Sequence, residues 1–237
     1  MCYNATTSLI TFSISFFCVI YLVSYGIKNK NNSDIFAGIV SILIGNMQLV
    51  EYFLWKNQTC DKINHFFSLF IIVTLVSQGI VGSFFYILLF GSHYTKSFLS
   101  MIVFTGILYL LFTVYQIDWL NKRVLCSKPS ETSCRLVWAP YQLLAHNKDN
   151  GKWLLFIHLL FYFFFFLFCS GLYYGNVQSS FYKYKYPVRC SILPVSFIIA
   201  HFYSLMNTNN TIDSWDIFGS TWCFMAVAFG IVSVLHI

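Results

Sequence analysis

Long apolar segments alternate with short polar connections along the whole chain. Each apolar segment reaches about the 20 residues that an α-helix needs to cross a hydrocarbon core about 30 Å thick. Runs such as "WLLFIHLLFYFFFFLFCSGLYY" do not alternate in polarity as the strands of a membrane barrel do. The pattern therefore predicts an all-α polytopic membrane protein, a seven-transmembrane-helix bundle forming a single domain, 1–237. The predicted helices cover about 7–27, 34–55, 64–90, 97–117, 153–175, 187–206 and 214–236.

Composition supports the same class. Hydrophobic residues make up 58% of the 237 residues and charged residues 9%, whereas a soluble domain has about 25% charged residues. The first apolar run lacks a basic leading region and a small-residue cleavage site, so we interpret it as a helix rather than a signal peptide. The net charge of +6 lies in short clusters, which favours contact with lipid headgroups. We expect the bilayer as partner and no nucleic acid, while the sequence leaves a homo-oligomer open.

The charges of the connections predict that the N-terminus lies outside. With that orientation the short inner loops are basic and the outer ones nearly free of Lys and Arg, as the positive-inside rule requires. The long outer loop 118–152 carries six basic residues, but long loops count for less in this rule. Interfacial tryptophans at helix ends on the outer side agree with this orientation; they are Trp55, Trp119, Trp153 and Trp215.

Four cysteines fall on the predicted outer side, where the environment is oxidising. We predict one disulfide between Cys126 and Cys134, closing the loop "CSKPSETSC", and a second between Cys2 and Cys60. Four free thiols are the alternative. Three N-x-T triplets on the same side predict a glycoprotein; they open at Asn4, Asn57 and Asn209.

Ionisable and amide side chains from several helices are predicted to lie at the same small depth in the membrane, near the outer ends of the helices. Such groups in a membrane usually face the bundle interior, pair with one another or mark a functional site. We therefore expect an outward-facing polar pocket around Glu51 that binds or passes a small polar solute, an ion or a lipid headgroup. For Gln78, which lies deeper, and for Ser220, an interhelical hydrogen bond is the favoured alternative. The pocket candidates are Gln48, Glu51, Gln78, His158, His201, Asp216 and Ser220.

Two other functions stay open. In an intramembrane metal-dependent hydrolase, His158, His201 and Asp216 would bind a divalent metal and Glu51 would act as base, although no paired-histidine motif supports this. In a structural membrane component, the polar groups would only join helices. The last helix contains no lysine for a retinal Schiff base, and the chain has no phosphate-binding loop or Cys-x-x-Cys pair. We expect a protein without enzymatic activity.

The second half of the long loop, "RLVWAPYQLLAHN", combines apolar and aromatic residues with a proline at position 140. This composition predicts a segment that lies on the membrane or caps the bundle, and Pro140 argues against one continuous helix. A cap at this place would cover the polar layer as a lid.

Three short motifs resemble those of a family of small polytopic membrane proteins encoded by giant DNA viruses. They are the opening "MCYNATTSLITF", the block "MQLVEYFLWKN" followed by Asn64, Phe67, Ser68 and Gln78, and the late "GSTWCF". Tyr3 replaces the family's usual Trp, and Gly79 replaces a common Pro. The resemblance implies a viral membrane protein of the host endomembrane or virion membrane and singles out Glu51 within the polar layer. The other residues that it marks are Cys2, Asn4, Gln48, Trp55, Gln78, Ser220, Trp222 and Cys223.

Overall fold

The computed structural model describes residues 4–93, 95–130, 135–146, 150–169, 185–206 and 211–235, with the side chains of all but 93, 166–169, 185–194 and 211–217. This part of the chain is almost entirely helical, as predicted. The helices are α1 (Ala5–Lys28), α2 (Asn32–Lys56), α3 (Lys62–Phe90), α4 (Lys96–Asn121), α5 (Ala139–His146), α6 (Gly151–Cys169), α7 (Lys185–Met206), α8 (Thr211–Ala226) and α9 (Ala228–Val234). A short 3₁₀ turn, Gly91–His93, follows α3, and the strands β1 (Lys128–Pro129) and β2 (Leu136–Val137) form a small antiparallel hairpin.

The first six predicted segments are helical wherever the structure describes them, and the seventh is helical except at Val227 and Leu235. Helices α1 to α4 are long and apolar enough to cross a membrane, and shorter apolar stretches lie in α6, α7 and the α8–α9 pair. The last predicted segment is interrupted at Val227, where hydrogen bonds join residues three apart: Val227 N to Phe224 O, and Gly230 N to Val227 O. The all-α class is therefore confirmed, with one small hairpin added.

Helix α2 lies at the centre of the described structure. In the most apolar 18-residue stretch of each helix, 72% of the residues are buried for α2, but only 28% for α1 and 22% for α4. Small residues bring α1 and α2 close together, because a Cβ atom added to Gly45 would collide with the Ser15 side chain. An added Cβ at Gly38 would lie 2.9 Å from Val23 Cγ2. Such close packing of small residues is typical of helix pairs in membranes.

Helix α3 begins where it does because Asp61 caps it. The Asp61 carboxylate accepts hydrogen bonds from the backbone N–H groups of Asn64 (2.9 Å) and Ile63 (3.0 Å), which satisfies donors that the first helical turn leaves free. The bond from Asn64 N–H is the main reason why the pKa of Asp61 lies below its ordinary value. This start fixes the position of Asn64, which is important for the loop described next.

A compact loop structure covers one end of the bundle; we call residues 122–130 and 135–146 the cap. It consists of the hairpin, closed by a 2.6 Å bond from Ser130 N to Arg135 O, and of helix α5. The cap packs against the C-terminal part of α2, the start of α3, and helices α6 and α8. Its side chains Leu136, Trp138 and Leu144 are buried. Of the two predicted arrangements for this loop, the cap on the bundle is the one observed.

The disulfide of the described structure joins Cys60 to Cys126, with 5.0 Å between their Cα atoms. Both predicted pairings, Cys126–Cys134 and Cys2–Cys60, are therefore wrong, since each sulfur forms one such bond; Cys2 and Cys134 themselves lie outside the described residues. The physical reason is tertiary. Antiparallel packing puts the start of α3 beside the end of α4, where His65 Nε2 and Asn121 Oδ1 lie 3.1 Å apart. This packing brings Cys60, just before α3, to Cys126, just after α4.

Candidate functional site

Glu51 is buried in the protein interior beneath the cap. Its side chain is 1% exposed, and it lies one turn from the C-terminal end of α2. Gln48, one turn earlier on the same face, donates from Nε2 to Glu51 Oε2 at 3.1 Å. The predicted pair therefore faces inward. A carboxylate removed from water in this way needs compensating donors or charges, because its burial is costly.

The second donor to Glu51 comes from the cap. Trp138 Nε1 donates to Glu51 Oε1 at 3.0 Å, and the whole indole is 2% exposed. Gly219 on α8 makes room for this ring, because an added Cβ would lie 2.6 Å from Trp138 Cε3. The indole thus fills the space between α2 and α8 and closes the route from the cap end to the carboxylate.

Asn64 fixes the cap to α3. Its side-chain nitrogen donates to Asn57 O (2.6 Å) and Ser127 O (2.9 Å), and its oxygen accepts from Ser127 N (2.9 Å) and Ser68 Oγ (3.2 Å). The Ser127 hydroxyl lies 2.8 Å from Ser68 Oγ and accepts from Ala139 N at 3.0 Å. These buried bonds, together with the adjacent disulfide, hold the segment that places Trp138 over Glu51.

Three further groups lie around the Glu51 carboxylate. The Ser220 hydroxyl on α8 lies beside it without meeting the geometry of a hydrogen bond. The Arg135 guanidinium of the cap and the Cys223 thiol of α8 both interact with it electrostatically. Among the described side chains, no Lys, Arg or His nitrogen lies close enough to Glu51 (4.0 Å or less) to form an ion pair with it. The carboxylate therefore has neutral hydrogen-bond donors and a positive charge at longer range.

His158 occupies an aromatic enclosure next to this site. Its fully buried ring has its centroid 5.9 Å from that of Tyr109, 5.7 Å from Tyr141 and 6.4 Å from Tyr162. Burial, then the neighbouring Tyr109 hydroxyl and Cys223 thiol, raise the pKa of Tyr141 well above its ordinary value. The Tyr141 phenol therefore stays protonated at neutral pH and can act as a donor.

Several buried polar atoms near this enclosure lack hydrogen-bond partners within the described part of the chain. They are both ring nitrogens of His158, both amide atoms of Gln116 and the hydroxyl of Tyr109. Such an atom costs about 1–3 kcal/mol when it is left unpaired, and natural proteins satisfy most of them with protein groups or water. The interior between α4 and α6 therefore has hydrogen-bonding capacity that described protein groups do not use.

Gln78 serves as an interhelical link. Its amide nitrogen donates to Leu43 O on α2 at 3.2 Å, and its oxygen accepts from the Tyr162 hydroxyl on α6 at 2.8 Å. This is the alternative role that the sequence suggested for Gln78. The link joins α2, α3 and α6 at a level below Glu51.

The residues proposed as metal ligands do not form a described cluster. Among the side chains that the structure describes, no three His, Cys, Asp or Glu groups come together to hold a metal. His158 is enclosed by tyrosines, whereas the partly buried His201 on α7 packs edge-on against Phe218, with 5.9 Å between ring centroids. Asp216 belongs to α8, but its side chain lies outside the described part.

Sequence reasoning missed the cap residues of the site. Trp138, Arg135 and Tyr141 all lie in the long loop, and none has a helical or alternating pattern that would place it inside the bundle. The signal available was the unusual apolar and aromatic content of "RLVWAPYQLLAHN". In contrast, Gln48 and Glu51 were recognised because a polar residue within an apolar helix is rare.

Comparisons with protein-family models, curated proteins and solved structures give no match to this chain. The site can therefore be interpreted only from its own residues. Several residues that the sequence motifs marked lie in this region despite their distance along the chain: Gln48, Glu51, Ser220 and Cys223 around the carboxylate, and Asn64 and Ser68 beneath the cap.

Proposed function

We propose that this chain is an integral membrane protein of seven spanning helices, with its N-terminus and its cap on the outer side. Its buried polar interior around Glu51 binds a small cationic or hydrogen-bonding solute, which enters from the outer side when the cap moves. The protein acts without covalent chemistry on that solute. The motif resemblance supports a viral component of a host endomembrane or virion membrane, with Asn4 and Asn57 on the side open to glycosylation.

The observation that carries this proposal is the environment of Glu51. The carboxylate is fully buried, accepts hydrogen bonds from an amide and an indole, and forms no ion pair among the described side chains. Binding of a positive group would therefore stabilise its negative charge. A residue that served only helix packing would be expected to be neutral, as Gln78 is. Ionisable groups inside membrane bundles commonly mark solute and ion pathways.

The location of Trp138 supports access through the cap. The indole contacts Glu51 on one side and Gly219 on the other, so a small displacement of the hairpin would open a path to the carboxylate. The cap is held by local hydrogen bonds and the Cys60–Cys126 disulfide. These bonds tie one edge of the cap to the start of α3, so we propose that the hairpin moves about this edge while the helices beneath it stay packed.

The native thiol of Cys223 provides a test of this access. It is 2% exposed and interacts with Glu51 electrostatically. In the purified protein we expect it to react with an impermeant cationic methanethiosulfonate reagent at least about tenfold faster than with an anionic one, after normalisation to a free thiol, because the Glu51 charge attracts the cation. Glu51→Gln should bring the two normalised rates close together. Labelling is measured for each cysteine by peptide mass spectrometry.

Cys18 is the matched control in the same molecule. It is also buried, at 7% exposed, but lies on the face where α1 meets Gly230 of α9. We expect no charge preference there. Equal normalised rates for the two reagents at Cys223, or a charge preference that Glu51→Gln leaves unchanged, would contradict the proposal and support a purely structural role for the polar groups.

A further inference from the structure

We infer that the ligand of the Glu51 site is a hard monovalent metal cation such as Na⁺, held by oxygen atoms of Glu51, Gln48 and Ser220. This inference rests on the proposed function and names the class of solute that the site takes. It also assigns a role to Ser220, whose hydroxyl has no hydrogen-bond partner among the described residues.

The oxygens at the site provide the first argument. Gln48 is fully buried, and while its nitrogen donates to Glu51, its oxygen Oε1 has no partner within the described chain. Ser220, 1% exposed, presents its unpaired Oγ beside the same carboxylate from α8. Two unpaired neutral oxygens beside a carboxylate are the ligand set that hard cations prefer.

The charge of the site provides the second argument. Among the side chains that the structure describes, Glu51 is the carboxylate at this place, and the Arg135 guanidinium already acts on it from a longer distance. Divalent cations such as Ca²⁺ depend on several carboxylates, and the number of ligand charges sets their affinity. One carboxylate offset in part by an arginine favours a single positive charge. The cation would then lie among the oxygens of Glu51, Gln48 and Ser220, on the protein side of the Trp138 indole.

The geometry also assigns a role to the Trp138 indole in binding. Its N–H group donates to Glu51 Oε1, and Gln48 Nε2 donates to Glu51 Oε2. The orientation of the carboxylate is therefore fixed before a cation binds. Preorganised oxygens lose less freedom on binding, which raises affinity without a further contact. The ring itself excludes water and strengthens the electrostatic attraction beneath it.

Thermal unfolding in two salts tests this inference. The purified protein in detergent micelles is unfolded in NaCl and in N-methyl-D-glucamine chloride at equal ionic strength, with tryptophan fluorescence as the readout. We expect Na⁺ to raise the melting temperature with a saturable dependence on concentration, because a ligand that binds only the folded state stabilises it. Ser220→Ala, which removes one oxygen and little volume, should weaken the apparent Na⁺ affinity about tenfold, and Gln48→Leu should weaken it at least as much.

Ser41→Ala is the matched control. Ser41 is a buried serine on α2 whose hydroxyl already donates to Ala37 O at 2.7 Å, so this variant should keep the wild-type Na⁺ dependence. Equal melting temperatures in the two salts, or an unchanged Na⁺ affinity in Ser220→Ala, would overturn the cation site. If Cys223 still shows its Glu51-dependent preference for the cationic reagent in that case, the proposed polar binding site is supported and only the identity of its ligand is wrong. If that preference is absent as well, both the proposed binding site and the cation are wrong.

Discussion

Replacing Trp138 with alanine is expected to lower the free energy of unfolding by about 3–5 kcal/mol, the cost of removing a large buried aromatic side chain. The indole fills the gap above Gly219, and the helices around it cannot close the cavity without moving α8. The variant also takes a hydrogen-bond donor from a buried carboxylate. The loss is measured by reversible denaturation in detergent micelles.

Two companion variants separate the parts of this effect. Trp138→Phe keeps most of the ring and removes the N–H donor. It should therefore lower the free energy of unfolding by about 1.5–3 kcal/mol, the range for a hydrogen bond to a charged group. Trp153→Ala removes a tryptophan that is 67% exposed on α6 and should change stability by about 0.5 kcal/mol or less. If Trp138→Ala were as mild as Trp153→Ala, the indole would not be buried beneath the cap.

Changing both Cys60 and Cys126 to serine removes the disulfide, and we expect this to lower the free energy of unfolding by about 4 kcal/mol. The two cysteines are 66 residues apart in sequence, and closing a loop of that length restricts the unfolded chain by about this amount in the chain-entropy model. The bond also holds the cap next to Asn64 and Ser127. We therefore expect faster labelling of Cys223 in this variant, in addition to a lower melting temperature.

Single changes distinguish this pairing from the ones that the sequence suggested. With Cys60 bound to Cys126, Cys60→Ser and Cys126→Ser break the same bond, so the two variants should lose about the same stability. A loss for Cys126→Ser that Cys60→Ser does not share would contradict this bond. Peptide mapping without reduction checks the pairing directly, because a linked Cys60–Cys126 peptide has its own mass.

The helices of this fold could be predicted because they depend on a local property. An apolar run of about 20 residues has few stable conformations other than a helix, and α1 to α4 begin and end within a few residues of the predicted bounds. The interruption at Val227 was not predicted. It changes the hydrogen bonding of a single turn and leaves the apolar pattern from Phe218 to Val234 unchanged.

The site could be predicted only in part, and the difference has a physical cause. Glu51 and His158 stand out because each is an ionisable group within an apolar helix, and both are buried. Trp138 reaches Glu51 across 87 positions of sequence, and Cys60 meets Cys126 because α3 and α4 pack side by side. Contacts of this kind arise from tertiary packing and leave no periodic signal in the chain.

The most direct test of the central claim, that the cap holds the buried Glu51 carboxylate through Trp138, is a double-mutant cycle. The free energy of unfolding is measured for the wild type, Glu51→Leu, Trp138→Phe and the double variant. Each single change leaves one buried partner unsatisfied, whereas the double change removes both, so we predict a coupling energy of about 1.5–3 kcal/mol. Effects that add to within about 0.5 kcal/mol, as for distant and independent residues, would contradict the account.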